Sequence, residues 1–395
     1  DNHDFKITLI DRNNFHLFTP SLYEVATVYG LIENNFAQYL RTSVAIPIGE
    51  IVKNKKVNFV QGEIREMNLK EKYVLTNGGN KFDFDYLIIA LGGETEFYGI
   101  PGVQEYAYNL KSVGDAIGIY RKIQEIYKNY SKEKTDRTIK IAVIGGGFTG
   151  VELAAELGCC VGNVIKQYDL SKTCTAISLF QAETAILPAI GEKARKAIEK
   201  RLRNKMVQVH INSSVIEVGP NFIKLRDRGE VLNFDLIIWA GGIRGSRLLE
   251  NLELKLTKKG TIEINEFLQA KNSDGATNEK VFVIGDCGMY LDQKTQKPVS
   301  AMAYVAHDQA DIASENIINQ INGRELKPYK LFYDAWIAPV GGKWAYFYYK
   351  GHGISGFLGY LLRQLVDFRY FLKILPFSKA LALFFKDLVI FTKND

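Results

Sequence analysis

Short unbroken apolar runs that end in glycine alternate along this chain with stretches whose apolar residues recur every three or four positions. The first kind reads as strands buried on both faces. The second reads as the helices that cover them, and the alternation is that of an α/β protein. Residues 5 to 10 form a β-branched run that ends in Asp11, and Asp85 to Gly92 is a buried strand entering a glycine turn. Lys111 to Tyr130 carries Ala116, Tyr120, Ile123 and Tyr127 at helical spacing. Lys140 to Ile144 reads as a strand, Gly150 to Leu157 opens a helix, and Ala176 to Phe180 is a strand again. Residues 207 to 228 look like the short strands of a meander. Leu236 to Gly241 and Val281 to Gly285 repeat the strand-into-glycine pattern, and Ala303 to Ile321 reads as a helix. Residues 328 to 350 look β-rich, and from Gly353 onward the chain turns apolar, aromatic and basic.

The same local logic occurs twice. An acidic-ended strand stands at the start, and a second nucleotide-type unit begins at Lys140. Two strand-plus-glycine closures, at residues 85–93 and 235–242, belong one to each. This order predicts two Rossmann-like domains, one inserted in the other. Residues 1–111 and 243–325 form the outer domain, 112–242 the inserted one, and 326–395 a C-terminal region.

Composition narrows the class only a little. The 395 residues are 47% hydrophobic and 24% charged, ordinary for a chain with a packed core. A net charge of +6 is too weak to argue for a nucleic-acid partner, and none is expected. Residues 1 to 20 lack the basic start and apolar core of a signal peptide, and the absence of an initiator Met fits a fragment or a processed product. The four cysteines, Cys159, Cys160, Cys174 and Cys287, form no Cys-x-x-Cys pair. They read as small buried hydrophobes in a reducing compartment. No metal site is expected.

Two motifs carry chemistry. "IAVIGGGFTGVELAAEL" (141–157) places Gly145, Gly147 and Gly150 at G-x-G-x-x-G spacing between a strand and a helix. The first glycine permits the tight turn and the second lets backbone approach a pyrophosphate. The third lets helix pack on strand, and the helix N-terminus faces the phosphates. The following strand should end in the acid that takes the ribose hydroxyls, but its end is Gln181. A neutral amide does not repel a 2′-phosphate, so one reading is relaxed or NADPH-tolerant specificity. The other is that Glu183 or another group compensates and NADH stays preferred. "KVFVIGDCG" (280–288) ends a buried strand in Gly-Asp. Asp286, at the carboxyl end of a strand, stands where open α/β sheets bind ligands, unless it is a turn or cap aspartate.

Together, Asp11, "YLIIALGGETEFYGIPG" (86–102), "IGGGFTGVELAAEL", "LIIWAGG" and "VFVIGDC" resemble the two-dinucleotide-binding-domain flavoproteins. "DRNNFHLFTPSLYEVAT" (11–27) and the C-terminal tail narrow the resemblance to type II NADH dehydrogenase, the membrane-surface NADH:quinone oxidoreductase. The resemblance implies FAD in the outer domain and NAD(P)H in the inserted one. It implies hydride transfer to the flavin and two electrons onward to a membrane quinone, without proton pumping. It assigns FAD contacts to Asp11 (adenosine ribose), Thr19 and Pro20 (near the ring), Gly92 and Asp286 (ribityl chain). It assigns NAD(P)H contacts to Gly145, Gly147, Gly150, Gln181 and Gly241. Glu152 resembles the acid that positions the nicotinamide; its plainer reading is a helix N-terminal carboxylate favoured by the dipole.

Two departures from the family pattern stand out. The family's FAD phosphate loop precedes the strand that ends at Asp11 and is absent here, so the sequence reads as N-terminally truncated. The family's helix commonly opens Ala-Gln-x-Ala-x-Gln-Gln, whereas this chain has Ala303-Tyr304-Val305-Ala306-His307-Asp308-Gln309. Tyr304, His307 and Gln309 are the quinone-site candidates, each alternatively a helix-face residue.

In the tail, Leu358, Leu361, Leu365, Phe368 and Leu372 keep helical spacing while Arg363, Asp367 and Lys373 lie off that stripe. Pro376 interrupts, and the pattern restarts at Ala380. The tail has no run of 18 uncharged apolar residues. Residues 353–395 are therefore expected to lie in an anionic membrane interface on the cytoplasmic face, as an amphipathic anchor. Packing against another domain or a second copy, as in a homodimer, is the alternative. Rival functions are a sulfide:quinone or soluble redox-protein reductase and a non-catalytic flavin or nucleotide sensor. The first needs flavin-facing cysteines, and none follows Cys287.

Overall fold

The structure, a computed structural model, describes residues 5–28, 36–133, 137–171, 174–226, 229–293, 296–299, 301–331 and 335–391. Its contacts divide the chain into two units. One comprises Asp1–Phe15, Val52–Glu96 and Ile243–Tyr333, the other His16–Ile51, Phe97–Gly242 and Asp334–Asp395. This division differs from the domains expected above, because residues 16–51 and the C-terminal region cluster with the inserted module.

In the first unit, strand Ile7–Asp11 pairs in parallel with Val57–Gln61, in register from Ile7↔Val57 to Asp11↔Gln61. Thr277–Val283 pairs in parallel with Leu87–Ile89. The core gathers Ile89, Leu249, Leu268, Val281, Phe282 and Val283 with Val305 and Ala313 of helix Ala303–Ile321, a helix with the expected bounds. Among the described residues the two parallel ladders belong to separate sheets. Ile7, Leu9 and Ile88, apolar residues of the kind parallel strands normally bury on both faces, are exposed.

The second unit is built on a five-stranded parallel sheet. Its order is Tyr108–Asn109, Leu236–Trp239, Ile139–Ile144, Thr175–Phe180, Val207–His210. Ile139–Ile144 and Leu236–Trp239 lie inside it, which is why their sequences are nearly unbroken apolar runs. Val207–His210, expected in a meander, is instead the edge strand of this sheet; the antiparallel meander is Val215–Val218, Phe222–Leu225 and Val231–Asn233. Helix Phe148–Gln167 is long and apolar enough to cross a membrane, yet 67% of that stretch is buried. Such burial is that of a core helix. Short helix Leu22–Thr27, buried throughout, packs on it and on helix Val113–Glu133.

The C-terminal region docks on the same unit. Strands Ala335–Pro339, Ala345–Tyr349 and His352–Gly356 form an antiparallel sheet. Arg201 Nε donates to the Val340 carbonyl (3.0 Å), and the Gly342 N–H donates to Glu156 (3.0 Å). Trp336 meets Phe148 edge-on at 5.9 Å and stacks on Tyr346 and Tyr348. Two helices follow, Phe357–Ile374 and Phe377–Phe391, separated at Pro376 as its missing N–H and fixed φ dictate. Their apolar stripe faces outward: Leu358 is 63% and Leu365 60% exposed, with Leu361 and Leu372 exposed as well. Phe368 departs from the stripe and packs against a cluster containing Phe18 and Phe371. Arg363, polar and off the stripe, is buried, and the Asp367 side chain beside it nearly so.

Candidate active site

The glycine turn is shaped by contacts only glycine permits. Gly145 has φ +116°, and a Cβ there would stand 2.3 Å from the Ala240 carbonyl oxygen. A Cβ on Gly150 would stand 1.8 Å from the Gly145 oxygen, so helix and turn touch backbone to backbone. A Cβ on Gly147 would meet nothing within 4 Å. Gly147 is also the N-cap of helix Phe148–Gln167, where no side chain caps the helix. An uncapped helix N-terminus with open space beside its N-cap residue fits a pyrophosphate. Gln181, just past the end of Thr175–Phe180, accepts the Gly146 N–H on its side-chain oxygen at 2.8 Å. Glu183 is exposed. Gly241 packs under the Trp239 ring, where a Cβ would approach to 2.6 Å.

Glu152 sits in the second turn of that helix, which packs on Leu22–Thr27. Its side chain stays partly accessible. Loss of solvent pushes its carboxyl up to about 8, Arg363 works against that shift, and Glu24 and Asp367 add to it. Arg363 itself was not singled out by the sequence. Its guanidinium donates twice to Glu24 (2.6 and 3.1 Å) and once to Ser21 Oγ (3.0 Å), with Asp367 3.3 Å from Nε. The signal that could have found it is a lone Glu and a lone Arg among apolar neighbours in "SLYEVAT" and "YLLRQLV". Thr19 and Pro20 lie in the short turn Thr19–Ser21 just ahead of Glu24, Thr19 being exposed.

In the other unit, Ile284 N–H donates to the Ile89 carbonyl at 3.1 Å, which brings the ends of two parallel strands together. Gly92 (φ +68°) and Gly93 therefore lie beside the Gly285–Cys287 turn. A Cβ on Gly93 would stand 3.3 Å from Asp286 Cβ, whereas one on Gly92 would meet nothing within 4 Å. Gln309, buried in helix Ala303–Ile321, accepts the Gly285 N–H at 2.7 Å and so holds the turn that presents Asp286. Tyr304 is half-buried, and burial raises its phenol above the usual range. His307 Nδ1 lies 3.7 Å from Asp308 and 4.0 Å from Asp311. Asp11 ends its strand and accepts the Asn13 N–H at 2.7 Å. The structure thus gathers Gly92, Asp286 and Gln309 in one unit, and Gly145, Gly147, Gly150, Gln181 and Gly241 in the other.

The family model for pyridine nucleotide-disulphide oxidoreductases matches residues 1–310. The chain belongs to that family. It is 28% identical over 373 residues to the type II NADH:quinone oxidoreductase of Staphylococcus saprophyticus, covering 93% of this chain and 89% of that protein. The Staphylococcus haemolyticus enzyme of the same name is 27% identical over 372 residues, with the same coverage. Among solved structures, NDH2 from Plasmodium falciparum in complex with NADH superposes with a TM-score of 0.82 at 20% identity, over 98% of this chain and 93% of that one. Sulfide:quinone oxidoreductase from Aquifex aeolicus gives 0.73 at 18% identity, over 93% and 84%. These likenesses establish a shared fold. All four cysteines of this chain are free and buried, and burial raises the Cys159 and Cys287 thiols to about 11. Thiols held protonated in this way, as at Cys159 and Cys287, are poor nucleophiles.

Proposed function

We propose that this chain is a flavin-dependent NADH:quinone oxidoreductase of the type II class, acting without coupled proton pumping. The observation that carries the proposal is the open, uncapped glycine turn at Gly145–Gly150, in a chain that aligns with type II enzymes over 93% of its length. A bound FAD would supply the hydride-accepting and two-electron chemistry that links nicotinamide to quinone. The chain's own part is to bind and orient. Residues 112–242 hold NAD(P)H through Gly145, Gly147, Gly150, Gln181 and Gly241, and Glu152 positions the nicotinamide. Residues 1–111 and 243–325 hold FAD, with Asp11 on the adenosine ribose and Asp286 on the ribityl chain. Gly92 leaves room for backbone approach, and Thr19 and Pro20 are assigned to the ring system. Tyr304 and His307 are the proposed quinone contacts, while Gln309 supports the Asp286 turn from beneath.

Residues 353–395 place the enzyme on a membrane surface, on the cytoplasmic face. The support is the outward stripe Leu358, Leu361, Leu365 and Leu372 together with exposed Arg369, Lys373 and Lys379. Apolar side chains flanked by basic ones suit an anionic lipid interface. Pairing with a second copy through part of the same face, giving a homodimer, is compatible with this.

Stopped-flow spectroscopy of the FAD-loaded protein tests the proposal. NADH should bleach the flavin, and a soluble menaquinone analogue should restore its colour with multiple turnovers. Bleaching without quinone-dependent recovery would reject the quinone as acceptor and favour a sensor or a reductase with another partner.

A further inference from the structure

Helix Phe357–Ile374 presents leucines outward and one cation inward. Arg363 is 5% exposed; Glu24 and Ser21 accept from its guanidinium, and Asp367 lies 3.3 Å from Nε. Beside this group is a small cavity lined by Ser21, Glu24, Gln364 and Asp367, and by Asp387 of the last helix. Phe371 and Phe384 add apolar wall, and all of these residues belong to the second unit. Asp387 is 8% exposed, and its Oδ1 has no hydrogen-bond partner among the side chains and backbone around it. A buried carboxyl oxygen left in that state is costly. Its charged neighbours are committed elsewhere. Both Glu24 oxygens accept from Arg363, whose Nη1 and Nη2 turn to Glu24 and Ser21 and whose Nε turns to Asp367. Lys386, next in the chain, donates to Thr42. Burial raises Asp387 to about 8; Glu24 and Asp367 add to the shift, while Lys386 and Arg363 oppose it.

The cavity measures about 10 Å³, room for about one water and nothing larger. A buried water needs about two to four polar partners. Asp387 Oδ1 supplies the first. Ser21 Oγ accepts from Arg363 and keeps its own proton to give, and the Gln364 amide both donates and accepts. A bare cation suits the space less well, because the Arg363 guanidinium already supplies the positive charge of this cluster. Among the described residues, moreover, no group of three or more His, Cys, Asp or Glu is placed to hold a metal.

We propose that this cavity is a water site: one buried water bridges Asp387 Oδ1 to Ser21 Oγ beside the Arg363–Glu24 pair, and so fastens the last helix to the segment that carries Ser21 and Glu24. The joint is a bound molecule, not a direct pair of side chains. The rest of the inward face of the last helix is apolar, with Ala380 in the cluster of Phe18 and Phe371 and Leu383 and Phe384 packed against it. Its contacts Lys379–Glu50 and Lys386–Thr42 lie nearer the surface. The water lets the helix seat without an unsatisfied carboxyl in the core and without pressing Asp387 directly onto Asp367.

A high-resolution crystal structure of the full chain tests this. Density for one water should stand within about 2.5–3.0 Å of both Asp387 Oδ1 and Ser21 Oγ. Asp387→Asn, which keeps an acceptor oxygen, should retain the peak. Asp387→Leu, which fills the space with methyl groups, should lose it. In solution, oxygen-17 relaxation dispersion should then count one long-lived water fewer in Asp387→Leu than in the parent. If Asp387→Leu does not fold, the parent and Asp387→Asn decide the matter alone. A cavity without density in the parent, a direct bond from Asp387 to Asp367 or Lys386 in its place, or a peak that persists in Asp387→Leu overturns the proposal. So does an anomalous signal at the site after soaking in rubidium chloride, which would assign it to a cation.

Discussion

The Gln181 side-chain oxygen accepts the Gly146 N–H at 2.8 Å, so the residue just past the second strand of the nucleotide module reaches over the turn that ends the first. An acid here would take the ribose hydroxyls; the amide has instead turned its acceptor to the loop. A carboxylate restored at this position brings back both hydroxyl acceptance and repulsion of a 2′-phosphate. Gln181→Glu should therefore raise the preference for NADH over NADPH roughly tenfold or more. The ratio of flavin-bleaching rates with the two nucleotides measures it. In the parent protein, an NADPH rate far below the NADH rate would discard relaxed specificity.

Gly150→Ala tests the cradle. Its Cβ would be driven against the Gly145 oxygen, where the distance is 1.8 Å, so either helix or turn must shift. NADH affinity should fall at least about tenfold, because the shift tilts the helix N-terminus away from the phosphates. Titration of the nucleotide reads the loss. Flavin content should not change, since Asp286 and Gly92 lie in the other unit.

The candidate site residues that were legible in the sequence, in each unit, are those presented by local chain. The turn at Gly145–Gly150, the Gly-Asp turn at Asp286 and the position of Gln181 all follow from strand, turn and helix in succession. Contacts between distant segments were not legible. Arg363 and Glu24 are separated by 339 positions, and the lone charge in each apolar stretch says that a partner is needed but not which one. The tail pattern was readable as an apolar stripe, but which side faces the core depends on what Glu24 and Ser21 offer. Val207–His210 was misassigned because a short edge strand and the first strand of a meander look alike when only four residues long.

Stability should depend on the Arg363 cluster more than on any surface ion pair. Arg363→Ala leaves the Glu24 carboxylate buried without its cation, which costs about 3–5 kcal/mol. Removing both partners with apolar residues of similar size, Arg363→Met with Glu24→Leu, should recover most of that loss. Denaturant melts of the singles and the double variant decide this. If the double variant is as unstable as the sum of the singles, the pair does not act as a unit.

The same cluster sets a pH dependence of known sign. Asp387, nine-tenths buried, is raised from 3.8 to about 8, chiefly by burial. A carboxyl raised on folding contributes stability fully below its unfolded value. That contribution shrinks as pH rises and is gone above the folded value. Asp367, raised to about 6, acts in the same direction over the lower part of that range. The melting temperature should therefore fall between about pH 4 and pH 8. Asp387→Asn, which cannot ionise, should flatten that fall. A slope unchanged by this substitution would show that Asp387 ionises as readily in the folded chain as in the unfolded one.

Leu358 and Leu365, both at least 60% exposed, belong to the face proposed to meet lipid. An exposed leucine contributes little to the folded core, and its full value appears only when another apolar phase covers it. Burying such a side chain is worth roughly 1.5–3 kcal/mol, so a charge in its place removes that gain and adds the cost of desolvating the charge. Leu365→Glu should lower partitioning onto vesicles containing anionic lipid by at least about tenfold in a sedimentation assay. It should leave the melting temperature and the NADH-driven bleaching of flavin near the parent values. Arg369→Gln, on the basic flank, should weaken the same partitioning by about 1 kcal/mol and reduce its salt dependence. Equal partitioning of parent and Leu365→Glu would mean that lipid does not cover this face, and the remaining reading of the tail would be a contact with a second copy.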